Sequence, residues 1–152
     1  MSNRAYHYTE SGLDNVFLRG GYEYQKTEGG RTVAFHDIEG LHRAIGLALV
    51  NTHQRLSGRE LRFLRTEMLL SQAGLADYLG VRELTIGRWE KGQSEIPLSA
   101  DALVRMLFLE SVGHRKGRVR DLLERMADLE DEIDRRQLTL EKSNGEWVSQ
   151  AA

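Results

Sequence analysis

The 152-residue chain contains no cysteine. That excludes both a disulfide framework and a thiolate metal site, and a cytoplasmic protein is the expectation. No apolar run approaches the ~20 residues that a membrane span needs, and the N-terminus lacks the apolar core of a signal peptide, so no membrane partner is expected. An excess of positive charge is also missing. Lys and Arg number 21 against 23 Asp and Glu, a net charge of −2, so a nucleic acid would have to be met by a local basic face. The five histidines are scattered, and neither a Ser-His-Asp arrangement nor a glycine-rich phosphate loop is present. No enzyme, no catalytic residue and no cofactor are therefore expected. What remains, 40% hydrophobic and 29% charged, is the composition of a globular chain long enough for one complete domain with accessories.

Composition changes along the chain. From Tyr6 to His36, Tyr, Val, Phe and Thr are interleaved with Gly12, Gly20, Gly21, Gly29 and Gly30. That pattern predicts three or four short antiparallel strands joined by glycine turns, with Tyr6, Val16, Leu18, Tyr22, Val33 and Phe35 as their core. Behind Asp37, a suitable N-cap, Ile38, Leu41, Ile45 and Leu49 recur at helical spacing, and this helix is expected to cover one face of the sheet. A linker is placed near Thr52 to Leu56. Ser57-Gly-Arg-Glu60 then reads as a capping box, in which the serine accepts from the backbone three residues on and the glutamate reaches back.

The stretch SQAGLADYLGVRELTIGRWEKG, Ser71 to Gly92, holds two helical patterns with only Gly80 and its neighbours to turn the chain between them. Ser71 is a good N-cap, Leu75, Ala76 and Leu79 form an apolar stripe, and Gly80 suits the positive φ that ends a helix. Ile86 and Trp89 face inward from the second helix. Ala76 lets two steeply crossed helices approach closely. This is a helix-turn-helix, whose second helix would carry its outward residues into the DNA major groove.

The order LR..R....LSQ..LA..LGV...TI.RWE.G, from Leu61 to Gly92, resembles the lambda-repressor-like or Xre family of DNA-binding domains. The resemblance implies that Gln72 bonds a phosphate at a helix N-terminus. It implies too that Arg82, Glu83, Leu84, Thr85 and Arg88 lie where the recognition helix meets the bases, and that Lys91 meets phosphate. Arg88 suits guanine, whose O6 and N7 its planar fork can bond together, while Glu83 suits a cytosine amino group and Leu84 a thymine methyl. Arg65 and Glu90 match positions that pair across the domain. Two features depart from the family pattern. Arg82 stands where a Ser or Thr usually caps the recognition helix, and Gly87 sits mid-helix, at a cost of about 1 kcal/mol relative to Ala.

The segment YHYTESGLDNVFL with the following glycine turns and GLHRAIG is similar to the YgiT-type zinc-finger region of MqsA-like antitoxins. Tyr8 and Ser11 stand where such a finger has the cysteines before Gly12. His7, His36 and His42 lack spacing partners, so no metal is expected. After Pro97 a helix is predicted, with Ser99 as N-cap and Leu103, Leu107 and Met106 closing the core. Beyond Gly113 come the basic residues His114, Arg115, Lys116, Arg118 and Arg120, then a heptad stripe of Val119, Leu122, Met126, Leu129 and Ile133. That stripe suits a dimer seam or packing against its own domain. Leu138 to Lys142 and Glu146 to Ser149 read as a hairpin about Asn144-Gly145, and Trp147 needs a surface to bury against.

The expected architecture is α+β: a strand-rich unit with one helix over 1–54, a five-helix lambda-repressor-like domain over 55–112, and a helical extension with a terminal hairpin over 113–152. The expected function is sequence-specific DNA binding by a dimeric repressor on an inverted repeat of double-stranded DNA. The second hypothesis is an antitoxin that blocks a toxin protein through its N-terminal unit and autoregulates its operon. The third is a ligand or metal sensor.

Overall fold

The computed structural model describes residues 5–52, 54–113 and 140–149. Its architecture is α+β, with N-terminal antiparallel strands, five helices and a C-terminal hairpin. Tyr6–His7 (β1) pairs antiparallel with Phe17–Leu18 (β2), and Tyr22–Thr27 (β3) with Gly30–Phe35 (β4). The four strands thus make two ribbons rather than one sheet.

A two-stranded ribbon has little surface to bury against, and this alters the expected core. Tyr6, Val16, Leu18, Tyr22, Val33 and Phe35 are all only half-buried, whereas Tyr8 and Leu13 are each 2% exposed. Both lie in the connection between β1 and β2, which holds a 3-10 turn, Thr9–Ser11, closed by Gly12 at φ +82°. Tyr8 also packs its ring 4.9 Å from that of Phe35.

Helix α1, Ile38–Val50, starts as expected at Asp37, whose side chain accepts from the Gly40 N–H at 3.1 Å. Its buried residues, Ile45, Gly46, Leu49 and Val50, join those of the later helices, so α1 packs on α2 and α5 rather than chiefly over strands. Those later helices are α2 (Gly58–Glu67), α3 (Gln72–Leu79), α4 (Glu83–Glu90) and α5 (Leu98–Val112). The five-helix core therefore includes α1, which precedes residue 55. Two glycines make close packing possible. A Cβ on Gly46 would lie 2.1 Å from the Phe108 ring, and one on Gly58 would lie 2.3 Å from the Trp89 carbonyl oxygen.

The segment placed as a linker, Thr52 to Leu56, is strapped down. Leu56 is 4% exposed, and its N–H donates to Asp101 Oδ2 at 2.7 Å. Arg105 donates from Nε to Asp101 Oδ1 at 2.6 Å, from Nη1 to the carbonyls of Val50 and Thr52, and from Nη2 to that of Gln54. One buried carboxylate and one arginine, a turn apart on α5, thus satisfy backbone groups between the end of α1 and the start of α2, which an apolar core could not do.

The capping box of α2 is present in both directions, Glu60 N–H to Ser57 Oγ at 3.2 Å and Ser57 N–H to Glu60 Oε1 at 2.8 Å. The start of α5 differs from expectation. Pro97 is its N-cap, with the first turn at Leu98, so Ser99 lies inside the helix. Ala100, Val104, Leu107 and Phe108 form its buried stripe at i, i+4, i+7 and i+8. That phase leaves Leu103 half-buried and turns Met106 outward, 51% exposed.

Between α2 and α3, Leu69 adopts φ +59° and is 93% exposed. A leucine pays steric strain in this conformation that glycine does not, and its side chain gains no burial in return. Leu69→Gly is expected to raise stability by up to about 1 kcal/mol, since relief of strain outweighs the glycine's greater unfolded-state freedom. Thermal melting checks this, and a lowered Tm would mean that the leucine side chain is needed for the fold.

The terminal hairpin pairs Leu140–Ser143 (β5) with Glu146–Ser149 (β6) about Asn144 and Gly145, at φ +53° and +81°. Asn-Gly suits the left-handed pair that a tight hairpin turn demands. Trp147 is 70% exposed, with Lys142 Nζ 5.9 Å from its ring centre. The basic cluster and the heptad stripe, Val119 to Ile133, lie outside the described residues. Among those described, no helix is long and apolar enough to cross a membrane.

Candidate nucleic-acid interface

Helices α3 and α4 are joined as the sequence requires. The Ser71 side chain accepts from the Gly74 N–H at 2.9 Å, and Gly80, at φ +67°, ends α3. The Val81 N–H then donates to the Ala76 carbonyl at 3.1 Å, while Ala76 itself is 2% exposed beneath the crossing. Ile86 and Trp89 anchor α4 in the core. Their burial sets the phase of the helix, so Arg82, Glu83, Leu84, Arg88 and Lys91 are all exposed, and Thr85 is half-buried at the margin. The outward face therefore combines three cations, one carboxylate and a leucine on a rigid support.

That support is an ion pair. Arg65 donates from Nε to Glu90 Oε2 at 2.6 Å and from Nη2 to Oε1 at 3.0 Å, and its Nη1 donates to the Leu70 carbonyl at 2.8 Å. The side chains are 13% and 4% exposed. One guanidinium thus ties the end of α4 to the loop that leads into α3, in the fork geometry that makes arginine suited to carboxylates.

Gln72 is the first residue of α3. It is half-buried, and its Nε2 donates to Glu90 Oε1 at 3.1 Å. One amide hydrogen is thereby committed inside the domain, and the second is not part of this bond. At the start of α4, no side chain caps the helix, in keeping with Arg82 as the N-cap residue.

Gln72, Glu83, Leu84, Gly87, Arg88, Lys91 and Gln93 line a hollow of about 540 Å³ on this face. Gly87 forms part of its floor, and the fold does not explain it. A Cβ there would meet only the Gln72 amide, at 3.6 and 3.9 Å, which is ordinary contact. Gly46 and Gly58 have no such room.

A second constellation escaped the sequence reading. The Tyr8 hydroxyl lies 2.9 Å from His42 Nε2, and His42 Nδ1 lies 2.7 Å from Glu67 Oε1. A carboxylate oxygen accepts, so His42 Nδ1 donates to Glu67, and Nε2 shares a hydrogen bond with the Tyr8 hydroxyl. Burial pushes the Tyr8 phenol above its ordinary pKa, with Glu10 and Glu67 adding to the effect. The chain of bonds links the N-terminal turn to α1 and α2. Periodicity could not have revealed it, because its members lie 34 and 25 residues apart.

The other two histidines among the described residues have separate partners, His7 the Asp14 carbonyl and His36 the Glu23 carboxylate. Where a zinc finger would place thiolates, Ser11 Oγ donates to the Tyr8 carbonyl at 2.9 Å and accepts from the Leu13 N–H at 3.2 Å. Among the described residues no group of three or more His, Asp or Glu side chains could hold a metal ion.

A sequence model of the Helix-turn-helix family matches residues 61–106, which take in most of α2, all of α3 and α4, and the larger part of α5. No curated protein and no solved structure matches the chain. The match covers the support and the outward face together, and it identifies this segment as an Xre-like helix-turn-helix of DNA-binding transcription regulators. It does not extend to the N-terminal ribbons.

Proposed function

We propose that this chain, a DNA-binding regulator by its helix-turn-helix, is a sequence-specific repressor that acts as a dimer on an inverted repeat. The observation that carries the reading is the outward face of α4. Arg88 is exposed in its last turn, Arg82 and Lys91 flank its two ends, and the buried Arg65–Glu90 pair holds the helix from behind. In this reading Arg88 takes a guanine edge with both arms of its fork. Glu83 accepts from a cytosine amino group, and Lys91 and the second amide hydrogen of Gln72 take phosphates. Half-sites lie one helical turn, roughly 34 Å, apart, so that both recognition helices meet the same side of the duplex. The heptad stripe of Val119, Leu122, Met126, Leu129 and Ile133 supports the dimer. Repression follows by exclusion of polymerase from the occupied site.

Arg88→Ala tests the reading. The expected result is an unchanged Tm, a loss of about 1 to 3 kcal/mol in specific binding, and relaxed preference at one base pair per half-site. Gln72→Ala should weaken binding to all sequences alike. Arg88→Ala protein that selects the same operator at normal affinity would remove α4 from the role of recognition helix.

Two exposed aromatics in the N-terminal unit, Phe17 at 58% and Tyr24 at 50%, favour a protein partner there and so the antitoxin reading. Stable co-purification with the product of the adjacent reading frame separates it from the lone repressor, which needs no such partner.

A further inference from the structure

We infer that Leu84 and Gly87 form a seat for the 5-methyl group of one thymine in each half-site, and that Gly87 is a specificity-determining position. The inference rests on the DNA-reading role of α4 and adds to it the identity of a base that no hydrogen-bonding side chain reads.

Gly87 is glycine for no reason internal to the chain. Its backbone is not in the left-handed region, and an added Cβ would touch only the Gln72 amide at ordinary distance. Alanine would fit there and favour the helix. Leu84, one turn earlier on the same face, is 63% exposed, an apolar side chain without apolar cover. Both residues border the same hollow, whose polar rim is made by Arg88, Lys91 and Glu83. Such a face gains from an occupant that is apolar, small and able to come close to the helix backbone.

The major groove offers few groups of that kind. Guanine and adenine present ring nitrogens with an oxygen or an amino group, and cytosine presents an amino group. Thymine alone presents a methyl. Omitting the Cβ at position 87 lets the helix settle nearer the base edges by about the thickness of a methyl group, which brings Leu84 within reach of that methyl. Arg88, adjacent in sequence, would then read the neighbouring pair.

The test starts from duplexes selected by the full-length protein out of a random pool. Each thymine of the selected half-site is replaced in turn by uracil, which removes the methyl and nothing else. At one position the swap is expected to weaken binding about four-fold, the value of one buried methyl group, and Leu84→Ala should abolish the difference between thymine and uracil there. Gly87→Ala should raise Tm by about 2 to 4 °C while lowering operator affinity by about ten-fold or more. The higher Tm establishes that the variant is folded. If the wild-type protein enriches no sequence, the DNA-reading role itself fails and takes this inference with it. If an operator is found and Arg88→Ala relaxes it, yet no uracil swap matters or Gly87→Ala binds normally, the thymine seat alone is wrong.

Discussion

Asp101→Ala is expected to destabilise the protein by about 3 to 5 kcal/mol, a fall in Tm of roughly 6 to 20 °C. Asp101 is 6% exposed, and its carboxylate receives both the Leu56 N–H and Arg105 Nε. Alanine leaves a buried N–H without its acceptor and a nearly buried guanidinium, 15% exposed, without its counter-charge. Either loss alone is costly, because water cannot replace the partner without opening the segment between α1 and α2. Asp101→Asn separates the two effects. Its amide oxygen can still accept from Leu56 while the charge is gone, so an intermediate Tm is expected. Thermal melting of the three proteins measures this directly. An alanine variant as stable as the wild type would show that the strap over residues 52–56 adds nothing to the fold.

The second large effect is expected at the opposite end of the same core. Glu90→Ala should also cost about 3 to 5 kcal/mol, because the remaining Arg65 is 13% exposed and loses two charge-assisted bonds at once. Gln72 loses its partner as well. The damage should be specific in direction. Arg65 also holds the Leu70 carbonyl, so freeing it loosens the entry to α3 together with the end of α4, the two places that set the angle of the recognition helix. DNA affinity should therefore fall even under conditions where the variant remains folded. A double-mutant cycle with Arg65→Ala isolates the pair. The double variant is expected to be less destabilised than the sum of the singles, since neither leaves a charge behind. Strict additivity would mean that the two groups do not act as a pair.

The helix-turn-helix was legible in the sequence because its determinants are local. Ser71 and Gly80 act through backbone atoms within four residues, the Ser57–Glu60 box closes within three, and Ile86 and Trp89 declare the buried side of α4 by their spacing. The outward positions follow from that phase. The Arg65–Glu90 pair came by a different route, through the family resemblance, because no periodicity links residues 25 apart. The paired strands of the N-terminus were also readable, from glycines between β-prone residues, but not which of their residues are buried.

Tertiary structure alone decided the rest. Whether α1 lies over strands or among helices depends on how its buried face compares with two alternative surfaces, and Gly46 against Phe108 settles that only once α5 is in place. The same holds for α5, where the buried stripe runs through Val104 and Phe108 and leaves Met106 in solvent. Asp101 and Arg105 stand i, i+4 on α5, and only the end of α1 and the segment after it supply the backbone groups that the pair holds. Tyr8, standing in a pattern suggestive of a lost metal ligand, became a buried hydrogen-bonding residue because His42 on α1 meets its hydroxyl and is itself held by Glu67 on α2. In each case the deciding interaction joins groups distant in sequence. Local sequence sets which way a short helix faces, but only the assembled core determines what it faces.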